Sequence, residues 1–363
     1  MKISVQQLDD LALGAVFLAT GGGGDPYVPL QLAKQALRTY GDVTLLNPEN
    51  LQDDARVITL GGVGAPTVSL ELLPSLTEAS ATLQAWQKHT GETVDAVAAF
   101  EIGGANSLLP LIAAATSGTA IVDGDGMGRA LPEAQMMSYA IEGVSPSPAV
   151  AYDYQGNVTS FSTKDTATYE RHIRALTVAS GGMLTTAEHP MTGKQLKRAI
   201  IPGTLSFAIQ LGQLLKQHKG NAEQILPALQ ELFETSLYGT CRLLSCGKII
   251  DKSTQIVGGY DLGQASIMDF SDTNREIKIS IKNEYLLARE GDKVLASVPD
   301  LIVIVDYETV QPINAERLRY GQRVAVFAVA CPAFFRSEKA LAAVSPRCFG
   351  FDFDYVPLEE IPT

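Results

Sequence analysis

Three carboxylates fall within one short stretch, and their types and spacing suit acid–base or cation chemistry. Glu101 follows the apolar run 97–100, and Asp123 and Asp125 follow the apolar run 120–122. Carboxylates placed together raise the proton affinity of one member, which suits a general base, and a cluster of them suits a hard cation. For Asp123 and Asp125 the plain alternative is capping of glycine-rich turns. Arg129 and Glu133 come a few residues later and add a cation and a further carboxylate. His172 is the histidine most open to a functional or metal-ligating role, whereas His189 beside Pro190 reads as a turn residue. Cys241, Cys246, Cys331 and Cys348 show no CxxC spacing; Cys241 and Cys246 are open as thiolate ligands or nucleophiles, with two buried structural cysteines the plain reading.

The elements that must position these groups are legible around them. Residues 97–100 and 120–122 read as short buried strands, and 108–116 as a helix capped by Asn106 or Ser107 and ended by Gly118. A βαβ crossover of this length makes the two strands parallel and neighbouring, with Glu101, Asp123 and Asp125 at their carboxyl edge. Open α/β sheets bind ligands at that edge. Glycine runs at 21–24 and 61–64 offer backbone N–H groups to a ligand, yet neither has the spacing of a dinucleotide or P-loop motif.

Elsewhere, helices are expected over 4–18, 26–39, 75–90, 166–180, 194–200, 204–216 and 222–236, with strands at 43–46 and 56–60. A hairpin is expected over 149–161 and a glycine break at 181–182. From 238 the pattern changes to short strands (241–244, 248–250, 275–281, 284–288, 293–296, 301–306 and 323–330), with a hairpin turn at Glu290-Gly291-Asp292. The expected architecture is a Rossmann-like three-layer α/β domain over 1–165 with a parallel or mixed sheet. A helical segment over 166–237 packs on it, and a β-rich domain over 238–363 forms a barrel or sandwich.

Composition narrows the function classes. The 363 residues carry 28 basic against 40 acidic side chains, a net charge of -12, with no basic cluster, which argues against nucleic acid as a partner. The apolar patch 11–19 is too short to span a membrane, and Asp9 and Asp10 before it make it a poor signal peptide. A cytoplasmic protein with reduced thiols is expected.

Several segments carry a family resemblance. ATGGGGDPY from Ala19, GGVGAPTVS from Gly61, FEIGGANSLLPLIAAATSGTAIVDGDGMGRALPEAQM from Phe100 and IPGTLSFAIQLG from Ile201 are among them. SVPDLIVIVD from Ser297, LRYGQRVAVFAVACPAFF from Leu318 and SPRCFGFDFDY from Ser345 complete the set. In that order they resemble the DUF917 proteins, described as S-methyl thiohydantoin desulfurase-like. Where that family commonly carries a cysteine, this chain reads Ser180-Gly181-Gly182-Met183, and the segment CRLLSCGKIID is less typical of it.

The resemblance implies two domains and hydrolysis of a five-membered cyclic amidine, in which water adds and methanethiol leaves to give a hydantoin. For such a reaction Asp125 or Asp123 is expected as base, with Glu101 assisting or sharing a metal. Substrate contacts would come from Gly22, Gly23, Gly24, Asp25, Gly62, Asn106, Met127, Arg129 and Glu133, with Arg129 on a substrate carboxylate. A divalent metal, zinc or another, would sit on Asp123, Asp125, Glu101 and His172. A hydantoinase- or oxoprolinase-type partner and a homo-oligomer are expected as well, and no nucleotide. The alternatives are a nucleotide- or metabolite-binding enzyme or subunit of such systems, and a non-catalytic metabolite-binding protein.

Overall fold

The computed structural model describes residues 1–362; residue 363, the end of the expected β-rich domain, lies outside the described residues. The first half of the chain alternates strand and helix. It runs through β1 (Lys2–Ile3), α1 (Leu8–Leu18), α2 (Tyr27–Tyr40), β2 (Val43–Leu46), β3 (Arg56–Gly64), α3 (Leu76–Thr90), β4 (Ala96–Ala99), α4 (Leu109–Ser117) and β5 (Ala120–Asp125). There follow α5 (Ser138–Ile141), β6 (Ala149–Tyr152), β7 (Val158–Phe161), α6 (Thr166–Ala179), β8 (Met183–Thr192), α7 (Gly193–Ala199), β9 (Ile201–Pro202), α8 (Thr204–Gln217) and α9 (Ala222–Glu234).

Strands β2, β5, β4 and β3 lie side by side and parallel, and β8, β6 and β7 extend the sheet antiparallel beyond β3. The crossover read from the sequence is present: β4 and β5 are joined by α4 and pair as Ala96 with Ala120 and Val97 with Ile121. Alanine and leucine dominate α4, and the stretch Leu109–Ala115 is buried all round, as befits a helix enclosed between layers. Helices α1 and α8 cross where glycine permits contact: a β-carbon on Gly14 would lie 1.9 Å from the Ala208 carbonyl oxygen, and one on Gly212 1.8 Å from that of Asp10.

Two readings of this half need correction. Asp123-Gly124-Asp125 was expected as a loop, but β5 continues through Asp125, because β9 pairs with Gly124 and Asp125 and extends the ladder. Directly after the glycine break comes a ten-residue strand, β8, along β3, and His189-Pro190, expected as a turn, lies within it. Pro190 is tolerated because the register shifts there, and proline enters sheets at such bulges. Segment 166–237 is therefore not only helical; β8 and β9 belong to the first sheet.

The second half is one antiparallel sheet of seven strands. Its strands are β10 (Cys241–Val257), β11 (Tyr260–Asp269), β12 (Glu276–Lys282), β13 (Glu284–Glu290), β14 (Lys293–Ser297), β15 (Leu301–Asp306) and β16 (Arg323–Val329), and α10 (Glu338–Val344) follows. Alternation sets its face: Ile277, Ile279 and Ile281 of β12 share one buried cluster with Ile302 and Ile304. Two of the expected short strands are one, β10, kinked by register shifts near Ser245 and Asp251, and β11 was not anticipated. No described helix is long and apolar enough to cross a membrane.

The halves are pinned by Arg129. Its five donors meet five acceptors: Ala130 O, Pro299 O, Asp300 O, Thr20 Oγ1 and Tyr285 O, at 2.7–3.3 Å. The side chain is 1% exposed. Burial lowers its pKa to about 10, and the neighbouring Glu284 carboxylate opposes that shift.

Candidate functional site

A cavity of about 170 Å³ opens where the carboxyl ends of β3 and β4 meet the first turn of β13. Glu101 comes from the turn after β4 and lines it. Its Oε1 accepts from Asn106 Nδ2 at 2.7 Å and its Oε2 from the Leu131 N–H at 3.3 Å. Asn106 is held in turn by the glycine-rich end of β3: its Oδ1 accepts from the Gly62 N–H at 2.7 Å, and its Nδ2 reaches the Gly62 carbonyl at 3.2 Å. The amide is thus locked in one orientation, with a donor fixed on Glu101. Burial pushes the Glu101 carboxyl up to about 7; the Asn106 and Leu131 donors pull it down and the Asp125 charge adds to the rise.

The second carboxyl comes from the other half of the chain. Glu284 opens β13 behind Asn283, which has a left-handed backbone (φ 59°) and joins β12 to β13. Glu284 is 3% exposed, and its Oε2 has no hydrogen-bond partner. Burial, and after it the charge of Glu101, hold its carboxyl well above the usual range. Such a group holds its proton to higher pH than an ordinary carboxyl and, while protonated, can donate. Glu188 of β8 also lines the cavity; Tyr169 and Thr186 hydroxyls donate to its Oε2. Its Oε1 lies 3.3 Å from His189 Nδ1 without hydrogen-bond geometry.

The glycine run before Pro26 serves close packing. A β-carbon on Gly22 would stand 2.2 Å from Glu284 Oε1, one on Gly21 2.6 Å from the Tyr285 ring, and one on Gly23 2.4 Å from Gly103 Cα. The loop carbonyls are engaged as well: Gly21 O accepts from Ala315 N, and Gly22 O from Asn314 Nδ2. The run lets Glu284 reach the Glu101 turn.

Of the residues expected at the site, Glu101, Gly23, Gly24, Asp25, Gly62, Asn106, Met127 and Glu133 line the cavity. Gly22 lies behind it, against Glu284. Asp25 and Glu133 are ion-paired to Arg317 and Lys282. Four residues are placed otherwise. Asp123 turns to α8, where its Oδ1 accepts from the Ser206 N–H at 3.0 Å and caps that helix. Asp125 is fully enclosed; its Oδ2 accepts from Ile102, Met127 and Gly128 N–H groups, each at 2.8 Å, and so it closes the turn. Burial raises its carboxyl to about 7 against those donors. Arg129 has no fork left for a substrate carboxylate. His172 is exposed on α6.

The four side chains expected to hold a divalent metal therefore do not converge. Among the described residues no group of three His, Cys, Asp or Glu side chains is arranged to hold one. Burial also pushes the Cys241, Cys246 and Cys331 thiols up to about 12, which suits packing rather than attack.

Sequence reasoning missed Glu284, Glu188, Tyr169, Glu170 and Arg174. The signal for the first was Asn283-Glu284 between two alternating strands, and for the last two a carboxylate four residues before an arginine on one helix.

Comparison with known proteins agrees with this architecture. The solved structure of a protein from Chromobacterium violaceum is similar, with 24% identity, a TM-score of 0.80, and coverage of 99% of this chain and 100% of that one. At that identity the likeness is one of fold. No curated protein matches. Residues 6–163 match the S-Me-THD-like N-terminal domain and residues 163–358 the S-Me-THD-like C-terminal domain. The boundary at 163 runs through the first sheet, since β8 and β9 lie beyond it. From its sixth residue almost to its end, the chain belongs to the S-Me-THD-like family.

Proposed function

We propose that the protein hydrolyses a small cyclic amidine of the S-methyl thiohydantoin type, with Glu101 as general base and Glu284 as general acid. The observation that carries this reading is the pair of buried carboxyls from the two halves of the chain, poised differently. Burial pushes Glu101 up to about 7, and burial with the Glu101 charge holds the Glu284 carboxyl well above the usual range. Two carboxyls whose environments separate their pKa values divide acid and base roles between them.

Water attacks the ring carbon bearing the S-methyl group while Glu101 takes its proton and Glu284 protonates the adjacent ring nitrogen. The tetrahedral adduct then collapses. The new hydroxyl returns a proton to Glu284, the carbon–sulfur bond breaks, and the Glu101 proton goes to the departing sulfur. The products are a ring carbonyl and methanethiol, and both carboxyls regain their starting states. Asn106 orients Glu101 throughout. No step is assigned to a metal.

The test is turnover of S-methylated thiohydantoins in oxygen-18 water. Methanethiol release with label in the ring carbonyl is expected. Methanethiol release without label, or no release, contradicts the proposal.

A further inference from the structure

We infer that two copies of this chain pair edge to edge through the outer side of β10, over Lys252–Val257. Strand β10 is seventeen residues long, but β16 opposes it only from Cys241 to Lys248, while β11 opposes it from Gly247 to Val257. The Gly321 N–H and the Gln322 carbonyl close the next step, at Ile249. From Lys252 to Val257 the side away from β11 meets no strand among the described residues. Residues 253–257 are all exposed.

The backbone groups on that side follow from register. Gly258 and Gly259, at φ 59° and 83°, make a two-residue turn, so the flanking Val257 and Tyr260 exchange hydrogen bonds. Asp261, opposite Ile256, instead bonds Asn283 through both its N–H and its carbonyl. Lys252, Thr254 and Ile256 therefore turn their own N–H and C=O groups outward. Such an edge is normally guarded by charge, proline, a bulge or a covering segment. The other edges of this sheet are guarded. Residues 311–313 bond back along β15, and β14 is five residues long with the turn Leu358–Glu360 against it. Ser253-Thr254-Gln255-Ile256-Val257 has no such guard.

The edge is complementary to itself. Antiparallel pairing about a two-fold axis at Thr254 joins the outward groups of all three residues, Thr254 to the partner's Thr254 and Lys252 to the partner's Ile256. An axis at Lys252 would set two lysines opposite one another and run into the register shift before Asp251. The Thr254 register also gathers exposed apolar side chains. Ile256 is 52% and Val257 46% exposed. Tyr320, 75% exposed, precedes Gly321 at the far end of the edge, where the partner's Ile256 and Val257 arrive.

The test is sedimentation velocity of the full chain and of edge variants. Wild type is expected to dimerise at micromolar concentration. Thr254→Pro removes the N–H at the axis and leaves the β11 ladder intact, and Ile256→Lys sets a lysine against the partner's Lys252. Each is expected to raise the dimer dissociation constant by about tenfold or more, the scale of two lost backbone hydrogen bonds, with an unchanged circular dichroism spectrum. Cysteine reads the register. With the exposed Cys348 replaced by serine, Thr254→Cys is expected to cross-link across the axis on oxidation. Gln255→Cys, opposite the partner's Ser253, is not. A chain that stays monomeric, leaving the edge to a strand of another protein, overturns the inference. So does a dimer that both Thr254→Pro and Ile256→Lys leave intact, or one that Thr254→Cys fails to cross-link.

Discussion

Gly22 and Glu284 are in contact across the seam between the two halves of the chain: a β-carbon on Gly22 would come within 2.2 Å of Glu284 Oε1. The glycine run and the acid are more than 250 residues apart in sequence, and the cavity depends on their meeting. Gly22 has no left-handed backbone, so the cost of a side chain there is steric. Gly22→Ala is expected to destabilise the protein by about 1–3 kcal/mol, the usual cost of overpacking. It should also lower kcat/KM by displacing Glu284. Urea denaturation beside steady-state kinetics checks both.

The pH–rate profile should be bell-shaped. Glu101 must be ionised to act as base, and its pKa of about 7 means the rate rises as pH passes through neutrality. Glu284 must be protonated to act as acid, so the rate falls at higher pH as its raised carboxyl ionises. Glu284→Gln is expected to remove the alkaline limb and leave the acid limb.

Stability should respond to pH with the opposite sign to that of an ion-paired carboxylate. The folded protein holds the Glu101 proton more tightly than the unfolded chain does, its carboxyl being raised from 4.5 to about 7. Between those values the folded state binds more protons, so this contribution to stability is present at low pH and is lost as pH rises through about 7. Glu101→Gln should therefore be more stable than wild type at pH 8, by a margin that narrows toward pH 5. Thermal melts across that range measure it.

Asp123 and Asp125 should separate cleanly. Asp123 caps α8, so Asp123→Ala should cost about 1 kcal/mol of stability and little activity. Asp125→Ala strands three buried N–H groups and should destabilise by several kcal/mol, each unsatisfied donor costing about 1–3. Denaturation of the two variants in parallel decides the point.

These two aspartates also show how far the sequence could be read. The βαβ unit around α4 was legible because apolar runs and a terminating glycine agree there, although the expected cap did not form: Leu108 stands at the N-cap, Asn106 turns to Gly62 and Glu101, and Ser107 donates to the Gly104 carbonyl. That agreement placed Glu101 at a sheet edge. The sequence could not show that β9 would pair with Gly124 and Asp125, carrying the strand past the point where the apolar run ends. Nor could it show that Arg129 would be saturated, with three of its five acceptors being carbonyls of the other half. Glu284 was invisible as a site residue because an acid at the start of an exposed-looking hairpin strand is ordinary; only the packing of β13 on the glycine run buries it. Strand β8 was hidden by its proline and its flanking glycines, which locally read as turns.

The central claim, that Glu101 is the base of this cavity, is tested most directly by kcat for methanethiol release at pH 8 from wild type, Glu101→Gln and Asp123→Asn. The account predicts a loss of about 10²–10⁴-fold in Glu101→Gln, the range for removing a general base, with Asp123→Asn close to wild type. Full activity in Glu101→Gln, or a comparable loss in Asp123→Asn with its fold intact, would contradict it.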